Sequence, residues 1–158
     1  YIEEISNNHL IVTFVLAMLP ITELRGSIPW AYIFTELPLI IIITISVLGN
    51  FLVTIPIIGL INQGIKFLTK WKMGNNFITW IFNRTRRRGT VIEKFKFWGL
   101  VLFVGIPLPV TGAWTGCIAA HLFGIPKPKA LLAILFGLCL SASIVSTLLV
   151  TGNWLINP

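Results

Sequence analysis

Glu23 and Arg25 stand two residues apart in an otherwise apolar stretch, Leu19-Pro20-Ile21-Thr22-Glu23-Leu24-Arg25-Gly26-Ser27-Ile28-Pro29. A guanidinium among oily neighbours suits an anion, phosphate above all, because its planar fork is bidentate and keeps its charge. A desolvated carboxyl takes up a proton more readily than one in water, as a proton-coupled carrier requires. The same pair also suits a purely structural task, as a mutual salt bridge or as bridges to a second loop. That second loop is Gly105-Ile106-Pro107-Leu108-Pro109-Val110-Thr111-Gly112-Ala113-Trp114, which carries no charge. Its prolines fix an extended backbone and leave carbonyls that need water, Thr111, Arg25 or a substrate as partner. The candidate substrate- and proton-binding residues are therefore Glu23, Arg25, Gly26, Ser27, Pro107, Pro109, Thr111 and Gly112. Ser27 and Thr111 are expected to cap the second half-helix of each loop, with Pro29 in a first turn. The two helix N-termini would then make a positive patch beside Arg25. No nucleophile–base pair, metal cluster or phosphate-binding motif accompanies these residues, so an enzyme, a metal site and a cofactor are not expected.

These loops interrupt segments that belong in a membrane. Apolar residues make up 56% of the 158, charged residues 11%, and the mean hydropathy is +0.90. A soluble chain of this length does not need so much apolar surface. Pro38 to Ile61 carries no charge and is long enough to cross a hydrocarbon core of about 30 Å. Lys127 to Thr151 supplies a second such run after its basic start. The flanks of the two breaks, His9–Leu19, Ser27–Phe34, Phe97–Ile106 and Gly112–Phe123, are each only about 12–18 Å long as helices. None spans the core, but each reaches its midplane. Interrupted segments in both halves of a small membrane protein point to a transport site, and an ionisable pair inside one strengthens that reading.

Two topologies follow. One has four spanning helices, the first and third kinked by proline. The other turns the first and third into re-entrant hairpins that return to the face they entered. Charge favours the hairpins. Nine of the twelve Lys and Arg residues lie between Lys66 and Lys96, a loop that the positive-inside rule places in the cytoplasm. With hairpins, Lys127 and Lys129 join that face, while Glu3, Glu4, Glu36 and both termini lie outside. The expected fold is an all-α integral membrane protein of a single domain over residues 1–158. It is an inverted repeat of re-entrant hairpin plus long helix (1–61 and 98–158), joined by a basic amphipathic connector (62–97). The connector's Ile65, Leu68, Trp71, Phe77, Ile78 and Ile81 predict interfacial helices broken near Gly74-Asn75-Asn76. Trp71, Trp80 and Trp98 suit the headgroup belt.

Other residues carry weaker signals. Arg84, Arg86, Arg87 and Arg88 set the topology or attract anionic lipid heads. The net charge of +7 has no aromatic platform beside it, so nucleic acid is not an expected partner. Cys117 and Cys139 lack the spacing of a disulfide or metal pair. Tyr1 to Asn8 has no signal-peptide n-region. His121 is read as an interfacial hydrogen bond rather than a proton shuttle, Trp114 as packing or part of the turn, and Asn50 as an interhelical hydrogen bond rather than a ligand. Gly137-xxx-Ser141 and Ala142-xxx-Ser146 fit close packing within the bundle or a homodimer seam.

The elements Glu23-Leu24-Arg25-Gly26-Ser27-Ile28-Pro29 and Pro107-Leu108-Pro109-Val110-Thr111-Gly112-Ala113-Trp114-Thr115-Gly116 resemble the small multidrug export protein family, related to the wider DedA (VTT) superfamily. The resemblance covers nearly the whole chain. It implies two opposed re-entrant hairpins and a transport role. In DedA relatives it implies movement of polyprenyl-phosphate carrier lipids, dependent on proton-motive force. Glu23 and Arg25 match the acidic and basic positions of the first loop; Pro109, Thr111 and Gly112 match the second. Where DedA proteins carry a further arginine, this chain has Thr111-Gly112-Ala113. The expected function is a multi-pass cell-membrane transporter for a lipid-linked phosphate or a small amphipathic compound, coupled to protons. The alternative is a lipid-organising scaffold in which Glu23 and Arg25 only staple the loops.

Overall fold

The computed structural model of the chain describes residues 2–68, 70, 76, 79–80, 83, 95–108 and 111–156. The regular elements among them are α-helices: α1 (Ile2–Met18), α2 (Glu23–Phe34), α3 (Leu39–Leu68), α4 (Phe97–Gly105), α5 (Ala113–Leu122) and α6 (Lys127–Ile156). The order short helix, break, short helix, long helix occurs twice.

Each pair of short helices folds back on itself. His9, early in α1, meets Trp30, late in α2, with ring centroids 6.4 Å apart in an edge-to-face arrangement. Lys96, just before α4, donates to the carbonyl of Phe123, just after α5, at 2.8 Å. A kinked continuous helix would hold these residues far apart. The first turn-back follows from Pro20, which drives Leu19 out of helical geometry. Leu19 N–H falls back on the Leu16 carbonyl at 3.3 Å, and the Thr22 hydroxyl donates to that same carbonyl. The second hairpin closes with a Schellman motif. Gly124 has φ +64, its N–H donates to His121, and the Ile125 N–H donates to Ala120 at 2.8 Å.

The long helices run antiparallel between the open ends of the two hairpins. The Lys127 ammonium, at the start of α6, reaches the Gly59 carbonyl of α3 at 3.4 Å. At the other end, the Asn153 amide of α6 donates to the Tyr32 hydroxyl of α2 at 3.3 Å. Both helices are long and apolar enough to cross a membrane: α3 over Leu39–Ile61 and α6 over Lys127–Leu155, with mean hydropathies of 2.4 and 2.3. Only 28% and 44% of these windows are buried inside the protein. Leu48, Leu52 and Ile55 on α3, and Leu132 and Phe136 on α6, stay about half exposed. An unburied apolar surface of this kind fits lipid and does not fit the core of a soluble domain.

The inward stripe of α3 has the reverse character. Ile42, Ser46, Asn50, Thr54 and Ile58 recur every fourth residue, lie on one face, and are all buried. Three of the five are polar. The Ser27 hydroxyl of α2 donates to Ser46 at 2.8 Å inside this stripe. In a membrane such a bond contributes about 0.6 kcal/mol, but it fixes the register of α2 on α3.

α6 packs through its small residues. A Cβ at Gly137 would lie 2.7 Å from Val104 Cβ and 2.9 Å from the Val101 carbonyl of α4. Gly105 is pressed in the same way against Leu140. The Gly137 seam therefore serves packing within the chain, and Gly137 is not free to join a second copy. Residues 62–68, expected in the connector, continue α3. Trp80 and Trp98 are exposed. Trp71, Phe77, Ile78, Ile81 and the arginines from Arg84 to Arg88 lie outside the described residues, and so do the side chains of Glu3, Glu4, Ile65 and Leu68.

Gly137→Ala should therefore destabilise the fold by about 1–3 kcal/mol, as overpacking does. Gly59→Ala, where nothing lies within 4 Å of the added carbon, should leave stability unchanged or raise it slightly. Thermal unfolding of both variants in detergent checks the contrast.

Candidate functional site

The two hairpin tips meet, and each charge of the first tip finds its partner on the second. α4 ends at Gly105 because Pro107 cannot continue it, so the last carbonyls of α4 have no helical donor. Arg25 supplies donors. One terminal guanidinium nitrogen donates to the Leu108 carbonyl at 2.7 Å and to Thr111 Oγ1 at 3.4 Å. The other donates to the carbonyls of Val104 at 3.0 Å and Ile106 at 3.3 Å. A cation at a helix C-terminus also opposes the negative end of the helix dipole. Only Nε of Arg25, itself buried, lacks a partner.

Glu23 does the converse job at the other side of the break. Its carboxyl lies at the N-terminus of α5, accepting from the Trp114 N–H at 3.4 Å and facing the Ala113 N–H. Those N–H groups have no intrahelical acceptor, and a carboxylate there is favoured by the dipole. Glu23 itself is buried and holds φ +47, left-handed geometry that a side-chain-bearing residue rarely adopts. Such strain persists only where surrounding contacts over-determine it, and it clusters at functional sites. Here it starts α2 at Glu23 while turning the carboxyl toward α5. Gly112 is the counterpart on the facing chain. A Cβ there would fall on the Glu23 carboxylate. A third link runs between the tips: the Trp114 indole N–H donates to the Met18 carbonyl at 3.1 Å, covering the end of α1.

Several sequence expectations change. Ser27 is not a cap; α2 begins four residues earlier, and Ser27 lies inside it, bonded to Ser46. Pro29 is likewise interior rather than in the first turn, so the Arg25 carbonyl loses its α-helical donor. Thr111 is not the cap of α5. That position belongs to Gly112, while the Thr111 hydroxyl turns back onto the loop, 3.1 Å from the Ile106 carbonyl and 2.9 Å from that of Leu108. The α5 N-terminus faces the protein's own carboxylate. Glu23 and Arg25 diverge to separate partners and do not close a direct salt bridge. Gly26 is tight against Thr22. Pro107 lies at the break, and Pro109 lies outside the described residues. His121 is exposed in the last turn of α5.

Residues outside the expected set complete the centre. Asn50 is fully buried on α3 and faces the Glu23 carboxyl, yet neither its side-chain nitrogen nor its oxygen closes a hydrogen bond. The interhelical partner that the amide faces is Glu23 of α2. The signal was legible as Ser46-xxx-Asn50-xxx-Thr54, three polar residues on one face of an oily helix. Cys117, buried on α5, is a neighbour of Glu23. Its thiol approaches the Thr54 carbonyl at 4.0 Å.

A half-open cleft of about 470 Å³ lies between the tips. Pro20, Ile21, Pro107, Leu108 and Trp114 give it apolar walls, and Glu23 and Arg25 form part of its lining. That volume suits a small organic molecule.

A family model described as "Putative small multi-drug export protein" matches residues 23–144, from Glu23 through both tips and into α6. No curated protein and no solved structure matches the chain.

Two variants test the tip contact. Arg25→Lys keeps the charge but replaces a fork with one nitrogen, which cannot cover carbonyls spread over Val104, Ile106 and Leu108. It should cost roughly 3 kcal/mol or more in unfolding experiments, as lost hydrogen bonds to a charged group do. Gly112→Ala should be severe alone and much milder in a Glu23→Ala background. A double-mutant cycle should show a coupling of at least about 1 kcal/mol.

Proposed function

The chain belongs to this small multi-drug export protein family, and from that premise we propose a membrane transporter whose substrate site is the cleft between the hairpin tips. In this reading the hairpins are re-entrant and open to opposite leaflets, and the two halves form an inverted repeat. The basic connector, Lys96 and Lys127 lie on the cytoplasmic side, with both termini across the membrane. Antiparallel α3 and α6, joining the open ends of the two hairpins, support this arrangement. So does the break of both hairpins at their tips, where transporters of this construction place substrate and coupling ion.

The charges divide the work. Arg25 is the fixed charge: its terminal donors are engaged with the second loop, leaving Nε. A lipid-linked phosphate seeking its bidentate fork would have to displace those carbonyls. A small amphipathic compound asks less, because Pro20, Ile21, Leu108 and Trp114 offer it apolar contact. Glu23 is the exchangeable charge. It lines the cleft, is buried, and accepts from the Trp114 N–H at a long 3.4 Å, with no cation among the described residues bonded to it. That observation carries the proposal. A carboxyl so placed binds either a proton or the substrate's positive end, and competition between the two couples their movements in opposite directions. The structural reading survives for Arg25 alone, whose bonds to Val104, Ile106 and Leu108 are those of a staple.

Reconstitution into liposomes tests this. With ethidium as the amphipathic probe and an imposed proton gradient, the protein should drive ethidium movement against the proton flow. Glu23→Gln, which keeps an acceptor for the Trp114 N–H, should retain the fold and fall to the rate of empty liposomes. Glu23→Asp should retain part of the rate. Wild-type rates in Glu23→Gln, or no gradient-driven movement by the unaltered protein, would contradict the proposal.

A further inference from the structure

Among the described residues Asn50 is the one buried carboxamide, and the packing of α3 fixes its level independently of the tips themselves. One turn before it, Ser46 bonds Ser27, which sits one turn into α2 beyond Glu23. One turn after it, Thr54 meets Cys117, which sits one turn into α5 beyond Ala113. Asn50 therefore falls where the start of α2 and the start of α5 converge on the Glu23 carboxyl. Its exposure is 0%, and both of its side-chain polar atoms lack a partner. An unsatisfied buried amide is costly, more so in a membrane interior, and an orphan of this kind calls for an explanation.

We infer that Asn50 and Glu23 form one proton-binding site, in which the carboxamide serves both protonation states of the carboxyl. The inference deepens the reading of Glu23 as the exchangeable charge and rests on it. Nδ2 donates to the ionised carboxylate and Oδ1 accepts from the protonated carboxyl; a hydroxyl also offers both functions, but the carboxamide holds them on separate atoms that reach as far as the carboxyl. In the structure the carboxamide faces the carboxyl, and neither bond is closed to full hydrogen-bond geometry. Among the described residues the charged and titratable neighbours are two. Arg25 lies on the same helix with its terminal donors committed to the second loop, and the Cys117 thiol faces Glu23 from α5. His9 on α1 is remote, packed on Trp30 at the open end of its hairpin. Asn50 is thus a positioning residue: it acts on the proton through Glu23.

Labelling with dicyclohexylcarbodiimide reads this directly, because the reagent attacks protonated carboxyls in apolar surroundings and mass spectrometry locates the adduct. In the unaltered protein, labelling of Glu23 should fall as pH rises through one midpoint. Asn50→Leu removes the bond to either state, and because the bond to the ionised carboxylate is the stronger of the two, the midpoint should move to more alkaline pH by about one unit. Asn50→Ser, which keeps a donor and an acceptor, should move it less; Asn50→Ala, which removes both without adding bulk, serves as the test if the leucine variant does not fold. A midpoint unchanged in folded Asn50→Leu or Asn50→Ala overturns the inference and leaves Glu23 as the exchanger. Glu23 labelling at one rate across all pH values would instead remove the proton-exchange reading itself, and the Asn50 inference with it.

Discussion

A broken helix exposes carbonyls at one end and N–H groups at the other, and each needs a partner. The break between α4 and α5 leaves such groups, and the first hairpin tip answers them with two side chains. Arg25 covers the carbonyl end and Glu23 the N–H end. The opposite charges suit the opposite ends of the helix dipole, so the order Glu-x-Arg reads the polarity of the break it faces. The remaining packing makes that contact reachable. Gly112 leaves space for the carboxylate, Trp114 ties the second tip to the end of α1, and Gly137 and Gly105 let α4 lie close against α6.

Much of this was legible in the chain. The two breaks, the residues flanking them and the two long apolar helices follow from proline positions and uninterrupted hydropathy, signals that need no tertiary information. The bridging of Arg25 to the second loop was one of the open alternatives, because proline-rich backbone in a membrane leaves carbonyls wanting donors. The caps were misplaced for a physical reason. Ser27 and Thr111 are good caps by type, but Glu23 adopts left-handed geometry and starts α2 early, and that conformation depends on contacts 91 residues away in sequence. Ser27 then becomes interior and bonds α3, while Gly112 takes the cap position because only a residue without Cβ fits against the carboxylate. Asn50 was undervalued because its meaning comes from its level along α3, set by Ser27 and Cys117 on other helices. The end of α3 was placed too early, since charge begins after Ile61 but helical geometry runs on to Leu68.

The arrangement separates two tasks that one ion pair would have merged. A mutual salt bridge between Glu23 and Arg25 would neutralise both and leave neither for exchange. Directed apart, Arg25 is committed to backbone groups that cannot change their charge, whereas Glu23 faces N–H dipoles. In the proposed mechanism the site changes charge without losing the joint between the hairpins. The polar inward face of α3, unusual against its lipid-facing oil, supplies the surroundings that make such a change tolerable.

The most direct measurement is a density map of the protein in a lipid nanodisc. It should show both chain breaks near the bilayer midplane, with the Arg25 guanidinium against the carbonyls of Val104, Ile106 and Leu108 and the Glu23 carboxyl at the start of α5. Continuous helices through Pro20 and Pro107, with Arg25 turned to the headgroups or to bulk solvent, would contradict the account.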